Sequence, residues 1–383
     1  MQSSFATNAT INQEMIDEAK ALIGKDLIVY QYNEFASYDT IRHYAYGIGD
    51  DNPLWADEAY AAKTKHKTQL APPLFLISIM PSSISPGFPG LQPLKVGDKW
   101  TWYRPIRQGD RIKAKAKLTG VEEIEGRAGG HMIREYGQIE YRTVEGELLA
   151  SVDTTHIRVM RPGSEGGGLK YAPQEPREYT VEELKKIEDD IFAEELRGAV
   201  PRYWEDVEVG DELTPVVKGP LDQITMTCYY AGAIGTPGYR ASELRWKQWR
   251  LANEHPEQMP GNYPADYFQE RVLPSLGHQN ADVAHDIGMP GAYDNGHQRM
   301  AWMVHCVTNW MGDDGFLREL DIQLRKPNIF GNTTWCSGRV TEKFVDADAH
   351  CVRVELSGIN QDQEVNTTAT AVIVLPSRAD TAE

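Results

Sequence analysis

Histidine is the side chain whose charge changes nearest neutral pH, and His278, His285, His297 and His305 fall within one stretch of this chain's second half. Metal binding is the first chemistry to test. His278 and His285 stand seven apart, two helical turns, which is too far for one ion. No Cys or carboxylate completes a ligand set at a known spacing, so no metal and no cofactor is expected. Acid–base work is the other possibility, and it competes with ordinary structural jobs. A single His commonly fills a core position, and Asp50 and Asp294 are of the type that caps helices. Cys228, Cys306, Cys336 and Cys351 are scattered without a C-x-x-C pair. They read as four buried thiols in a reducing cytoplasm, neither a disulfide nor a zinc framework.

The elements that must position these groups come in two copies. Residues 161–177 (RPGSEGGGLKYAPQEPR) are dense in Gly, Pro and charge, which is linker chemistry. A helix follows, with Thr180 and Glu183 as a capping box and Gly198 at its expected stop. Its Val181, Leu184, Ile187 and Ile191 recur at helical spacing, so this face is expected to dock. YWEDVEVGDEL (residues 203–213) then opens a second unit. HYAYGIGD (43–50) matches YYAGAIGT (229–236), Pro105 and Gly109 match Pro327 and Gly331, and Glu147 matches Glu364. Repetition on this scale indicates a duplicated domain. Each half runs from a short strand and an amphipathic helix through a loop and an apolar helix to alternating strands. Those strands are expected over 111–122, 131–143 and 147–160, then over 333–342, 349–359 and 365–375. The class is α+β, one antiparallel sheet wrapped round one central helix per half. The expected units are 1–160, a linker and helix over 161–200, and 201–383, the last carrying an insertion over 237–276.

Length and composition agree with two cores: 41% of residues are hydrophobic, enough to exclude a disordered chain. A formal charge of −17 would repel a phosphate backbone, which excludes non-specific nucleic-acid binding. MQSSFATNATINQ has neither a basic region nor an apolar core, so no secretory signal is expected. The longest apolar run, 74–80, is too short to cross a bilayer. A soluble cytoplasmic protein is the expectation.

GDDNPLWADEAYA (49–61) resembles the motif of the MaoC-like hydratases, whose usual form is G-D-x-N-P-[LIV]-H-x-D-x-x-x-A. APPLFL (71–76) is similar to the first half of duplicated members, with its FAS1-type dehydratase-like N-terminal unit. YWEDVEVGDEL, LRKPNIFGNTTWCSGRVTEK and TATAVIVLPSR are similar to the second half. The resemblance implies a tandem (double) hot-dog fold and action on acyl thioesters, as in (R)-specific enoyl-CoA hydratases and (R)-3-hydroxyacyl dehydratases. In that family an Asp and a His five residues later share the proton work. A Gly N–H eighteen residues after the His holds the thioester oxygen.

The two halves keep different parts of that pattern. The first has Asp50 and Asn52, but Trp55 stands at the His position and Pro73, with no N–H, at the donor position. The second has His278 with Gly296 eighteen residues on, but Thr236 replaces the Asp and about forty residues intervene. The resemblance therefore implies His278 as base and Gly296 as oxyanion donor. Asp294 is the first candidate acid, followed by Asp266, Glu270 and Asp282. Trp55, Asp50, Asn52, Tyr293 and Asn295 are assigned to substrate binding. The remodelled first half would widen a pocket for a bulky acyl group. Trp246, Trp249, Tyr263, Tyr267 and Phe268 of the insertion would supply a lid or wall.

The expected reaction is reversible hydration of a trans-2-enoyl thioester to an (R)-3-hydroxyacyl thioester, carried by CoA rather than an acyl carrier protein. The chain is expected to associate with copies of itself. Two other readings stand beside this one: a non-catalytic acyl-CoA-binding or partner-stabilising subunit, and a hot-dog thioesterase.

Overall fold

The computed structural model describes residues 9–29, 31–126, 130–162, 164, 167, 171–233, 242–255 and 274–379. Helices α1 (Gln13–Lys20), α2 (Tyr38–Gly47), α3 (Pro53–Ala56), α4 (Glu58–Ala61) and α5 (Leu76–Ile79) precede strands β1 (Gln92–Trp102), β2 (Ile112–Glu125), β3 (His131–Thr143) and β4 (Leu148–Val159). Helix α6 (Val181–Phe192) leads to β5 (Glu212–Lys218), then α7 (Gln223–Gly232), α8 (Ser242–Glu254), α9 (Ala281–Asp286) and α10 (Gly296–Met311). Strands β6 (Phe316–Leu324), β7 (Thr334–Asp346), β8 (Ala349–Asn360) and β9 (Val365–Val374) close the chain. The fold is α+β and antiparallel, as the alternation predicts.

One sheet, not two, runs through the protein. Its order is β2-β3-β4-β1-β6-β9-β8-β7-β5, and β1 against β6 joins the halves. The join needs Gly97, where β1 shifts register, because a Cβ there would collide with the Ile322 carbonyl on β6. A second seam lies between α2 and α7, the two copies of the repeated segment. A Cβ at Gly232 would strike the His43 carbonyl, and one at Gly47 would meet Ala233 N at 3.0 Å. Small residues let these backbones touch. A single apolar cluster then spans both halves, with Trp100 stacked between Trp102 and Tyr141.

The central helices are unequal. In the second half α10 is sixteen residues long and buried from His297 to Met311. In the first half its counterpart shrinks to a 3₁₀ turn, Pro73–Phe75, and the four residues of α5. Pro81 explains the stop: Met80 before it is extended (φ −147, ψ 122), as a pre-proline residue prefers.

Helix α6 has the expected capping box, with Thr180 N donating to Glu183 at 2.8 Å and Glu183 N to Thr180 at 3.2 Å. Its docking is narrower than its pattern suggests. Ile187 alone of the four apolar positions is buried, while Val181 is 77% exposed. The helix ends at Phe192 on Ala193, before Gly198, which takes φ +57 in the turn beyond.

Candidate active site

Asn295 begins α10. Its Oδ1 accepts the His297 N–H at 3.0 Å, the cap that a buried helix start requires. Gly296 is therefore the first helical residue, and its N–H has no acceptor within the helix. Sixteen aligned peptide dipoles put partial positive charge at this point. The position is tight: a Cβ on Gly296 would sit 2.7 Å from Leu324 Cδ1 and 3.7 Å from the Lys95 side chain of β1. Gly296 is thus packed at the seam where β1 meets β6.

His278 ends a 3₁₀ turn, Pro274–His278, and is half-buried. Its Nδ1 lies 3.1 Å from the Tyr293 carbonyl, and its ring centroid lies 4.2 Å from the Tyr293 ring. A carbonyl can only accept, so Nδ1 carries the proton and Nε2 keeps its lone pair. Burial pushes the imidazole pKa down to about 4, against smaller opposing contributions from the Tyr293 and Asp294 backbone. The ring is neutral throughout the physiological range, with its lone pair on Nε2. Helix α9 backs this arrangement: Gly277 packs between Ile287 and Tyr293, in a satellite cluster with Ala284, Met289 and Ile329.

Asp294 does not fit the expected role of free acid. Arg299 Nε donates to its Oδ2 at 2.6 Å, and Arg299 Nη2 to its Oδ1. Both carboxylate oxygens are engaged, and neither residue is more than 3% exposed. Burial raises the carboxyl pKa, and Arg299 opposes the rise. Nor does Asp294 cap α10, because Asn295 does. Asp282 sits in the first turn of α9. Thr236, Tyr263, Asp266, Tyr267, Glu270 and Phe268 lie outside the described residues, as does the Trp249 side chain; Trp246 on α8 is 38% exposed.

The first half's motif residues are placed elsewhere. Asn52 caps α3 through Leu54 N at 2.9 Å, and Asp50 accepts the Asn52 N–H at 3.1 Å. Trp55 is 2% exposed and belongs to the core. With Asn52, Pro73, Trp102 and Met311 it lines a cavity of only about 40 Å³. That is far less than a bulky acyl chain needs, so the expected widening of a pocket by these replacements is not found here. Asp50 reaches instead toward His305 of α10.

Sequence reasoning gave no role to Arg299 or Lys95 and weighed His297 and His305 only as metal ligands. A signal for three of them was available: they stand in a stretch rich in large apolar residues that forms a helix buried from His297 to Met311, and a charged or imidazole group in such a helix must find a buried partner. Among the described residues no group of His, Cys, Asp and Glu is arranged to hold a metal ion, and no helix is long and apolar enough to cross a membrane.

Comparisons with known proteins agree with this architecture. The family described as "FAS1-like, dehydratase domain region" matches residues 23–152. A UPF0336 protein of Parafrankia sp. is 32% identical over 119 residues, covering 29% of this chain and 74% of its own length. A UPF0336 protein of Streptomyces coelicolor is 27% identical over 146 residues, covering 32% and 97%. Among solved structures, a "MaoC-like dehydratase" superposes with a TM-score of 0.60 at 16% identity, over 94% of this chain and all of the other. A Mycobacterium tuberculosis protein with a double hot-dog fold gives 0.50 at 10% identity, over 92% and 96%. At such identities the structural likeness concerns the fold.

Proposed function

The chain belongs to the UPF0336 family, and from its FAS1-like dehydratase region over 23–152 and a fold like that of a MaoC-like dehydratase we propose that it adds water to, and removes it from, acyl thioesters at the start of α10. The observation that carries this reading is His278, a neutral imidazole whose Nδ1–H is held by the Tyr293 carbonyl, three residues before Gly296. Hydration of a trans-2-enoyl thioester puts hydroxide on C3 and a proton on C2, and negative charge builds on the thioester oxygen between the two events. The Gly296 N–H and the helix dipole stabilise that oxygen; one such fixed donor contributes roughly 3–4 kcal/mol to a transition state. His278 Nε2 takes the proton from water and returns it to C2, so one imidazole serves both transfers without a separate acid. Positioned proton transfer of this kind contributes about 10²–10⁴-fold in rate. The product expected from the family is the (R)-3-hydroxyacyl thioester. CoA is the preferred carrier, since a chain of charge −17 offers little to an acidic carrier protein.

The engagement of Asp294 by Arg299 favours a second reading, an acyl-CoA-binding partner subunit without turnover. Turnover of crotonyl-CoA and a set of bulkier enoyl-CoAs by wild type and His278→Ala separates the two. Activity that falls at least a hundredfold in the variant supports the hydratase. Thioesters bound but left intact across the set would leave the binding subunit.

A further inference from the structure

We infer that Arg299, acting through Asp294, is the positioning residue that places His278 and the Gly296 N–H relative to one another; this rests on the hydratase reading above. Asp294 stands between the two functional points in the chain. On one side is Tyr293, whose carbonyl holds His278 Nδ1 at 3.1 Å. On the other is Asn295, whose side chain starts α10 one residue before Gly296. Whatever fixes Asp294 fixes both.

Three contacts fix it. Its N–H donates to the Asn328 carbonyl at 2.8 Å, beside the bridge between Tyr293 and Ile329. Its carboxylate takes the forked end of Arg299, one turn into α10. The remaining Arg299 nitrogen, Nη1, donates to the Lys326 carbonyl at 2.6 Å and the Asn366 carbonyl at 3.1 Å. The guanidinium therefore ties the 293–295 turn to α10, to the end of β6 and to the start of β9. Its planar, bidentate fork sets angles as well as distances, which a lysine ammonium cannot reproduce. A buried ion pair is weak evidence for net stability but well suited to holding one geometry. A displacement near 1 Å at such a site is enough to cost a hundredfold in rate.

Arg299→Lys and Asp294→Asn test this. For each, kcat and KM on crotonyl-CoA would be followed across pH, and the His278 tautomer read from ¹⁵N shifts without substrate. Both variants should lower kcat at least tenfold, with KM within threefold and both limbs of the pH profile retained. The His278 ring should lose its single Nδ1–H tautomer. If a single variant fails to fold, the double exchange Asp294→Leu with Arg299→Met leaves no buried charge unpaired and takes the same readouts. Unchanged kcat and an unchanged tautomer would overturn the inference. Loss of a pH limb in Asp294→Asn, with Arg299→Lys fully active, would also overturn it and make Asp294 the acid. A wild type inert on every enoyl-CoA sinks the hydratase reading alone, because the tautomer still reports whether Arg299 positions His278.

Discussion

Asp50 Oδ1 lies 3.4 Å from His305 Nε2, both side chains almost wholly buried. The carboxylate that the first half keeps from its motif thus meets an imidazole from the second half's central helix. Lys218 of β5 reinforces the same seam by donating to the Gly49 carbonyl at 2.5 Å. In this chain the Asp50 carboxylate is placed against α10.

That pairing has a pH signature. Burial pushes the Asp50 carboxyl from 3.8 up to about 6, against smaller opposing effects of the Asn52 N–H and Lys218. A raised carboxyl pKa favours the folded state fully below about pH 4, and this contribution is lost as pH rises through 6. Burial lowers the His305 pKa well below 6.5, so its contribution is full above that pH and lost on acidification. Asp50→Asn removes the first effect and leaves the second. The variant should be more stable than wild type at pH 7.5, by on the order of 1–3 kcal/mol, with the gap closing toward pH 4. Urea unfolding at both pH values measures it; a variant less stable at pH 7.5 refutes the assignment.

Gly296→Ala isolates the approach to the proposed oxyanion donor. The added methyl would lie 2.7 Å from Leu324 Cδ1, the far end of a side chain that can turn aside. Stability should move by no more than about 1 kcal/mol. If the Gly296 N–H holds the thioester oxygen as proposed, the methyl crowds that approach and kcat/KM should fall at least tenfold. Full activity in a folded variant would remove Gly296 from the site.

Trp55 is predicted to matter for stability and not for turnover. Truncating a buried Trp to Ala typically costs about 3–5 kcal/mol, and the cavity of about 40 Å³ beside it would grow. Trp55→His restores the motif's imidazole. It should still not rescue a His278→Ala protein, because Asp50 is paired with His305 and Pro73 has no N–H to offer. Hydratase activity in that double variant would show that the first half retains a working site.

Six of the nine strands are legible in the sequence because most of their length alternates between a buried and a more exposed face. Strand β1 is not, since its register shifts between Lys95 and Gly97 and its partner β6 belongs to the other half. The pair His278 and Gly296 is legible because a local spacing of eighteen residues survives. The partners of Asp294 are harder to read. Its carboxylate meets Arg299 across a helix start, and that arginine's other acceptors, Lys326 and Asn366, are brought near only by the sheet. Asp50 and His305 are more distant still, and no local pattern connects them. Spacing along one element survives in sequence; contacts made by folding two halves together do not.

The four thiols give a test of the fold that needs no substrate. The sequence suggests that all are buried, but Cys228 is exposed on α7, while Cys306, Cys336 and Cys351 are buried. Thiolate is the reactive form, and burial works against it: the Cys336 thiol is pushed up to about 12, and the Cys306 thiol also rises. An aromatic disulfide reagent at pH 8 should therefore label one thiol quickly in the native protein, and all four only in denaturant. Cys228→Ser should abolish the fast phase and leave the slow one. A second fast thiol would mean that the packing of α10 against the sheet opens readily, because Cys306 lies on that helix and Cys336 on β7 beneath it.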